Sequence, residues 1–161
     1  MQLLNIGEKA PDFTLLDANN NFVSLKDFSG KKIILWFFPK ANTPGWIIEG
    51  KGFRSEFQKF EEKNIQIIGC SADSPKKQNK FCDKQKFLYP MLCDEDHTML
   101  ESYGVWGIKK FIWREYLGIS RITYIISEDG VIEKVYEKVN TKTHALDILN
   151  DLKELQWILE Y

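Results

Sequence analysis

Thiols are the first side chains to consider for chemistry in this chain, which holds three cysteines, Cys70, Cys82 and Cys93. Their odd number and wide spacing match neither the close pairs of a zinc site nor the even framework of a disulfide-rich secreted domain. A thiol reacts as its thiolate, and it can cycle only in a reducing compartment. The cysteines therefore indicate reactive-thiol chemistry inside the cell, unless they are buried and serve as small apolar side chains.

A second candidate site is the loop over residues 39–45, which joins an apolar strand to a long helix. The strand is predicted over residues 33–38, is apolar on both faces and stops at Pro39, as is typical of a central strand. Thr43 can cap the helix and Pro44 suits its first turn, while apolar residues recur at three- and four-residue steps through residue 60. Because sites of α/β proteins form at the carboxyl ends of central strands, we expect a site at this loop.

Strands and helices alternate along the rest of the chain. Short strands over 13–16 and 22–25 flank a turn of three asparagines and form an N-terminal hairpin. Further strands are predicted over 65–69, 89–92, 122–126 and 131–136, and further helices over 75–84, over 98–103 and from about His144. This order predicts an α/β protein with a thioredoxin-like fold, a central mixed sheet flanked by helices, in a single domain over residues 1–161.

Composition and charge exclude several classes of partner. The chain has 22 Lys and Arg against 23 Asp and Glu, so it offers no broad basic field for nucleic acid. No stretch approaches the ~20 continuous apolar residues that span a bilayer, and charges at Glu8, Lys9 and Asp12 interrupt any signal-peptide core. We expect a cytoplasmic protein with no nucleic acid and no membrane as partner.

His97 and His144 lie apart at helix starts, so no metal and no other cofactor is expected.

The segment FFPKANTPG over residues 37–45, followed by Glu49, Gly52, Phe53 and Arg54, resembles the active-site segment of peroxiredoxins. The resemblance is to the Q-type group, also called bacterioferritin comigratory protein, and it extends over residues 7–13, 69–74, 79–85, 94–107 and 118–121. It implies a peroxiredoxin-type fold and a peroxidase that reduces hydrogen peroxide and organic hydroperoxides. The reductant would be thioredoxin or a similar thiol protein, and the chain a monomer or weak dimer.

The resemblance places the peroxidatic cysteine at the position of Trp46. In the family this cysteine ends a Pro-x-x-x-Thr-x-x-Cys motif, which Pro39 and Thr43 match, and Arg121 matches the active-site arginine. Helix N-terminal amides and an arginine stabilise a thiolate at such a position. An indole does not ionise near neutral pH and cannot become the sulfenic acid on which the cycle depends. The chain is therefore predicted to be inactive as a peroxidase.

Cys82 is the candidate for the resolving cysteine, the thiol that attacks the sulfenic acid. The segment NKFCDKQ over residues 79–85, and its distance along the chain from Trp46, resemble the Q-type members that carry this thiol on the next helix. Ile47 stands where the family commonly has threonine, and Lys51 stands where some members have a nearer resolving cysteine. Cys82 is interpreted as a resolving cysteine that has lost its partner; the alternative is an inert surface thiol. Cys70 and Cys93 are expected to be packing residues.

Three functions remain open at this point. The first is that the chain is a laboratory variant or misread copy of an active peroxidase. The second is that it is a natural non-catalytic relative that binds something. The third is that it is a different redox enzyme that uses Cys82. A bulky Trp46 accompanied by Ile47 favours natural drift. We expect the Trp46 ring to pack inward, which requires another acceptor for Arg121, such as Glu49. An outward ring would instead favour protein binding.

Two further clusters have two interpretations each. The aromatic residues Trp106, Phe111, Trp113 and Tyr116 either form a partner surface or cover the active-site pocket. A run of lysines around Cys82 is interpreted as a solvated helix face, with a docking patch as the alternative; it comprises Lys76, Lys77, Lys80, Lys84 and Lys86.

Overall fold

A five-stranded mixed sheet forms the centre of the molecule. The computed structural model describes residues 2–40, 44–85, 87–137 and 142–160. The strands are β1 (Thr14–Leu16), β2 (Phe22–Ser24), β3 (Lys32–Phe37), β4 (Ile65–Ser71), β5 (Met91–Cys93), β6 (Trp106–Phe111), β7 (Arg114–Ile119), β8 (Thr123–Ile126) and β9 (Ile132–Tyr136). The helices are α1 (Pro44–Ser55), α2 (Phe57–Glu62), α3 (Pro75–Gln85), α4 (Thr98–Ser102) and α5 (His144–Glu160). The central sheet has the order β5-β4-β3-β8-β9, with β5, β4 and β3 parallel and the other pairs antiparallel.

The central strand β3 separates two hydrophobic cores. Ile33, Leu35 and Phe37 belong to one core with α4 and the N-terminal hairpin, whereas Ile34 and Trp36 belong to the other with α1, α2, α3 and α5. All five side chains are at most 2% exposed. An apolar run without alternation thus makes a strand that is covered on both faces.

Two ribbons lie outside the central sheet. The first pairs β1 with β2 around a turn in which Asp17 Oδ1 accepts hydrogen bonds from the backbone of Asn19 and Asn21, and Asn20 has a φ of 62°. Asparagine tolerates this left-handed conformation because its side chain is short and polar. The second ribbon pairs β6 with β7 through a two-residue turn at Ile112 and Trp113.

The thioredoxin-like order predicted from the sequence is confirmed, with two differences. The helix expected to run unbroken from Thr43 through residue 60 is interrupted at Glu56, so that α1 and α2 are separate helices. The β6–β7 ribbon was not predicted, because its turn has none of the glycine, asparagine or proline residues that normally mark a hairpin. Within the described ranges, no helix is long and apolar enough to cross a membrane.

Candidate functional site

The loop expected to carry the site leaves the carboxyl end of β3 and leads into α1. Pro39 follows the strand and is exposed, whereas Thr43 lies outside the described residues. Helix α1 begins at Pro44, in agreement with the expected first turn, and this turn brings Trp46 beneath the end of the sheet. The site roles that the family motif implies for Pro39 and Thr43 stay predictions.

Trp46 points inward and is completely buried, as expected. Its ring lies 6.1 Å from that of Phe38 and 5.0 Å from that of Phe87, the latter in an edge-to-face arrangement. A Cβ at Gly50, one turn along α1, would clash with the Phe87 ring, so this glycine makes room for the aromatic side chain that covers Trp46. The first turn of α1 therefore stays helical around a bulky residue instead of opening.

Arg121 reaches the same turn from the segment between β7 and β8. Its Nη1 donates a hydrogen bond of 2.8 Å to Oε1 of Glu49, whose side chain is fully buried. A Cβ at Gly45 would lie 2.9 Å from Arg121 Nη2, so the guanidinium rests against the backbone at the start of α1. The structure thus brings Trp46, Glu49 and Arg121 together at one helix end, and Arg121 has the acceptor expected for an inward Trp46.

The carboxyl group of Glu49 is the most perturbed acid of this site. Burial raises its pKa to about 7, and the nearby Arg121 offsets only part of that effect. Its second oxygen, Oε2, has no hydrogen-bond partner among the described residues. Glu49 can therefore hold or release a proton near neutral pH beside the guanidinium.

Cys82 lies on α3 and packs in the same core as Trp46. It is only 8% exposed, so the interpretation as a surface thiol is wrong. Burial, reinforced by Asp83, Asp17 and Asp73, raises its pKa to about 12. Phe87 lines a small cavity with Cys82 and also packs on Trp46, so one ring links the two positions.

The other two cysteines are also buried, in agreement with a packing role. Cys70 is fully buried in the core on the far side of the sheet, and burial raises the pKa of its thiol well above the usual value. Burial likewise raises the pKa of Cys93 to about 12. The described structure holds all three cysteines as free thiols.

His144 is a buried polar residue that sequence reasoning treated only as a helix start. Its Nε2 lies 2.8 Å from Oγ1 of Thr123, and its ring packs edge-on against Phe53 of α1. Burial lowers its pKa to about 4. The position at the start of α5 was visible in the sequence, but its contacts with α1 and β8 come from distant segments. Among the described residues, no group of acidic, histidine or cysteine side chains is placed to hold a metal ion.

Two of the aromatic residues after Val105, Trp113 and Tyr116, are exposed, whereas the side chain of Phe111 lies outside the described residues. Trp106 stacks on His97 with ring centroids 3.9 Å apart, and His97 is half-buried. Trp113 is 96% exposed and Tyr116 is 51% exposed. Neither of these two side chains covers Trp46, and the hypothesis of a pocket cover is wrong for them.

A thioredoxin-like sheet, a helix that starts behind the central strand and an arginine against its first turn define a peroxiredoxin-type site. The sequence matches the AhpC/TSA family over residues 6–135. It is 38% identical to peroxiredoxin Bcp of Escherichia coli, over 96% of this chain and 99% of that protein. It is 39% identical to peroxiredoxin Bcp of Bacillus subtilis, over 94% and 97% of the two chains.

Solved structures agree with this assignment. A cysteine-to-serine mutant of PrxQ from Xylella fastidiosa has a TM-score of 0.90 and 30% identity, over 97% of this chain and 99% of that chain. Bacterioferritin comigratory protein from Xanthomonas campestris, studied for its alkyl peroxide reduction activity, has a TM-score of 0.86 and 28% identity, over 93% and 98%. The chain belongs to the AhpC/TSA family, as a peroxiredoxin of the Q-type or bacterioferritin comigratory group.

Proposed function

We propose that this chain is a non-catalytic peroxiredoxin, in which the step that reduces peroxide is disabled and binding replaces turnover. The observation that carries the proposal is the complete burial of Trp46 in the first turn of α1. The family reaction needs a thiolate there, which attacks one peroxide oxygen, breaks the O–O bond and releases water or an alcohol while sulfur becomes a sulfenic acid. An indole has neither the lone pair nor the ionisation for this attack.

The cysteine nearest to the site in the fold does not supply a substitute nucleophile. With a pKa of about 12, only about one Cys82 thiol in a hundred thousand is ionised at neutral pH. This argues against the alternative of a redox enzyme that uses Cys82 alone. For the same reason Cys82 would act as a resolving thiol only once α3 opens and exposes it. It would then attack a sulfenic acid at position 46, if a cysteine stood there, and release water as the disulfide forms.

The packing around Trp46 supports a natural relative over a substituted copy of an active enzyme. Phe38 and Phe87 contact the indole ring, and Gly50 leaves space for Phe87. Arg121 is engaged by Glu49 at 2.8 Å. A tryptophan forced into a site shaped for cysteine would cost about 1–3 kcal/mol through overpacking. Here aromatic rings pack on the indole, although its Nε1 has no hydrogen-bond partner among the described residues.

The test is a coupled assay with hydrogen peroxide or an organic hydroperoxide, thioredoxin, its reductase and NADPH. We expect the unmodified chain to consume peroxide at no more than the background rate. Trp46→Cys should restore part of the activity. Trp46→Ser should not, because serine has nearly the size of cysteine but no thiol. Ile47→Thr added to Trp46→Cys tests whether Ile47 limits this rescue.

The role of Cys82 is tested in the rescued protein. Trp46→Cys exposed to one equivalent of peroxide should form an intramolecular disulfide, seen as the loss of two hydrogens by mass spectrometry. Adding Cys82→Ser should leave the sulfenic acid and stop turnover with thioredoxin. Rapid peroxide consumption by the unmodified chain, abolished by Cys82→Ser, would overturn the proposal and assign a Cys82-dependent enzyme.

We propose that the protein acts in the cytoplasm, because three widely spaced cysteines fit a reducing compartment better than a disulfide framework.

A further inference from the structure

The β6–β7 hairpin presents apolar side chains at its tip. Trp113 is 96% exposed and Ile112 is 70% exposed. Behind the tip, Ile108 and Leu117 face each other across the ribbon and are 65% and 63% exposed. The base of the hairpin is held to the protein by the stacking of Trp106 on His97 and by the burial of Ile119. The hairpin therefore projects an apolar tip into solvent.

The backbone of the tip is strained. Ile112 has a φ of 59°, in the left-handed region that β-branched residues rarely occupy. It is the first of two residues between the paired Phe111 and Arg114, a position where hairpin turns usually have glycine or asparagine. Glycine would remove the strain but would leave Trp113 as the single apolar side chain of the two-residue turn. The isoleucine thus destabilises the turn while it presents an apolar group, which points to a use for that group.

Positive charge flanks the tip. Lys109 and Lys110 precede it on β6 and Arg114 follows it on β7, against a single acidic residue, Glu115. The whole chain has a net charge of −1, so this excess is local to the hairpin. An apolar tip with an indole, bordered by basic residues, complements a surface that is anionic outside and apolar beneath.

We propose that the tip of the β6–β7 hairpin inserts into the surface of a membrane that contains anionic phospholipids. Trp113 would lie at the level of the headgroups, where indole rings are favoured, and Ile112 at the boundary of the acyl chains. The flanking basic side chains would attract the lipid phosphates. A bilayer accommodates a convex protrusion, whereas a protein partner would need a matching cavity. The lack of a spanning segment in the sequence does not exclude binding at a membrane surface, so this proposal departs from the expectation that no membrane is a partner.

The experiment measures co-sedimentation of the full chain with vesicles. We expect binding to vesicles of equal parts phosphatidylglycerol and phosphatidylcholine, little binding to phosphatidylcholine alone, and weaker binding as salt is raised. Trp113→Ser should weaken the partition coefficient about tenfold. Lys109→Glu combined with Arg114→Glu should weaken it by about tenfold or more.

Matched variants elsewhere on the surface serve as controls. Phe22 is 74% exposed on β2, so Phe22→Ser removes a comparable apolar side chain. Lys76→Glu with Lys77→Glu makes the same change of charge on the exposed side of α3. Both controls should bind like the unmodified chain, and circular dichroism checks that every variant is folded.

Three results would overturn the proposal. One is the absence of binding to the anionic vesicles. Another is binding that the tip variants and the control variants weaken equally. The third is a concentration-dependent dimer in analytical ultracentrifugation that Trp113→Ser dissociates, because this would assign the hairpin to a second copy of the chain.

Discussion

Trp46 and Trp113 place the same side chain in opposite surroundings. Trp46 is fully buried in the first turn of α1, between rings supplied by distant segments, whereas Trp113 is 96% exposed at the end of a two-residue turn. At the first position the indole is enclosed by the core, and at the second it makes an apolar surface. The comparison separates residues that stabilise the fold from residues that are exposed to solvent.

Removing each indole in turn should give the largest difference between the two positions, measured as the loss in the free energy of unfolding. Trp46→Ala should lower the free energy of unfolding by about 3–5 kcal/mol, because it leaves a large cavity in the core. Trp113→Ala should change it by no more than about 0.5 kcal/mol, because the ring makes few contacts to lose. Urea denaturation followed by circular dichroism measures both, and similar losses in the two variants would contradict the contrast.

The closed site should also show in the pH dependence of stability. The pKa of Glu49 is about 7 in the folded chain against 4.5 for an ordinary glutamate, so the folded state holds this proton more tightly. The protonated Glu49 side chain contributes about 3 kcal/mol to the free energy of unfolding. This contribution is complete below pH 4.5 and is lost as the pH rises through 7. Glu49→Gln, which keeps the shape but cannot ionise, should remove this slope in urea titrations at a series of pH values.

His144 should act in the opposite sense. Its pKa is about 4 in the folded chain against 6.5, so its contribution is complete above pH 6.5 and is lost as the pH falls through 4. Between pH 4.5 and 6.5 the two slopes oppose each other, and the unmodified chain should be nearly insensitive to pH. Glu49→Gln should therefore expose a stability that rises with pH, and His144→Gln one that falls with pH; a flat profile in both variants would contradict this balance.

At the exposed tip of the β6–β7 hairpin, we expect a change in the free energy of unfolding that is smaller than that of Trp46→Ala and opposite in sign. Ile112→Gly should stabilise the fold by about 1 kcal/mol, because it relieves a left-handed φ in a β-branched residue. Asn20 also has a left-handed φ, of 62°, but asparagine tolerates it, so Asn20→Gly should change the stability by only a few tenths of a kcal/mol. Thermal unfolding compares the two variants, and equal effects would argue against special strain at Ile112.

The smallest effect is optical and involves no loss of stability. Trp46→Phe should leave the iodide-quenchable part of the tryptophan emission unchanged, because the Trp46 ring is shielded from solvent. Trp113→Phe should lower that quenchable emission, because the Trp113 ring is 96% exposed. A quenchable component that disappears with Trp46→Phe would show an outward ring and contradict the closed site.

The fold was predictable where local pattern and burial agree. The apolar run of β3 and the asparagine turn after β1 each carry a signal within a few residues, and the structure confirms them. The break at Glu56 and the β6–β7 hairpin carry no such signal. Helix α1 is interrupted without glycine or proline, and the tip holds apolar residues where turn residues are expected.

The site was predictable in part for the same reason. The family motif places Trp46 and Arg121, and the chemistry of a lost nucleophile suggests that Arg121 turns to Glu49. The contacts of Phe87 and His144 depend on packing between segments far apart in the sequence. Only the folded chain brings such residues together, and so these two positions were missed.

The alternation along β3 has a consequence for changes in chain length. Since its successive side chains enter two different cores, deleting one residue would send Trp36 and every following side chain of the strand into the wrong core. The β6–β7 turn has no such constraint, because residues added there in pairs lengthen the ribbon without reaching either core. Foreign peptides should therefore be accepted between Ile112 and Trp113 and rejected anywhere between Ile33 and Phe37.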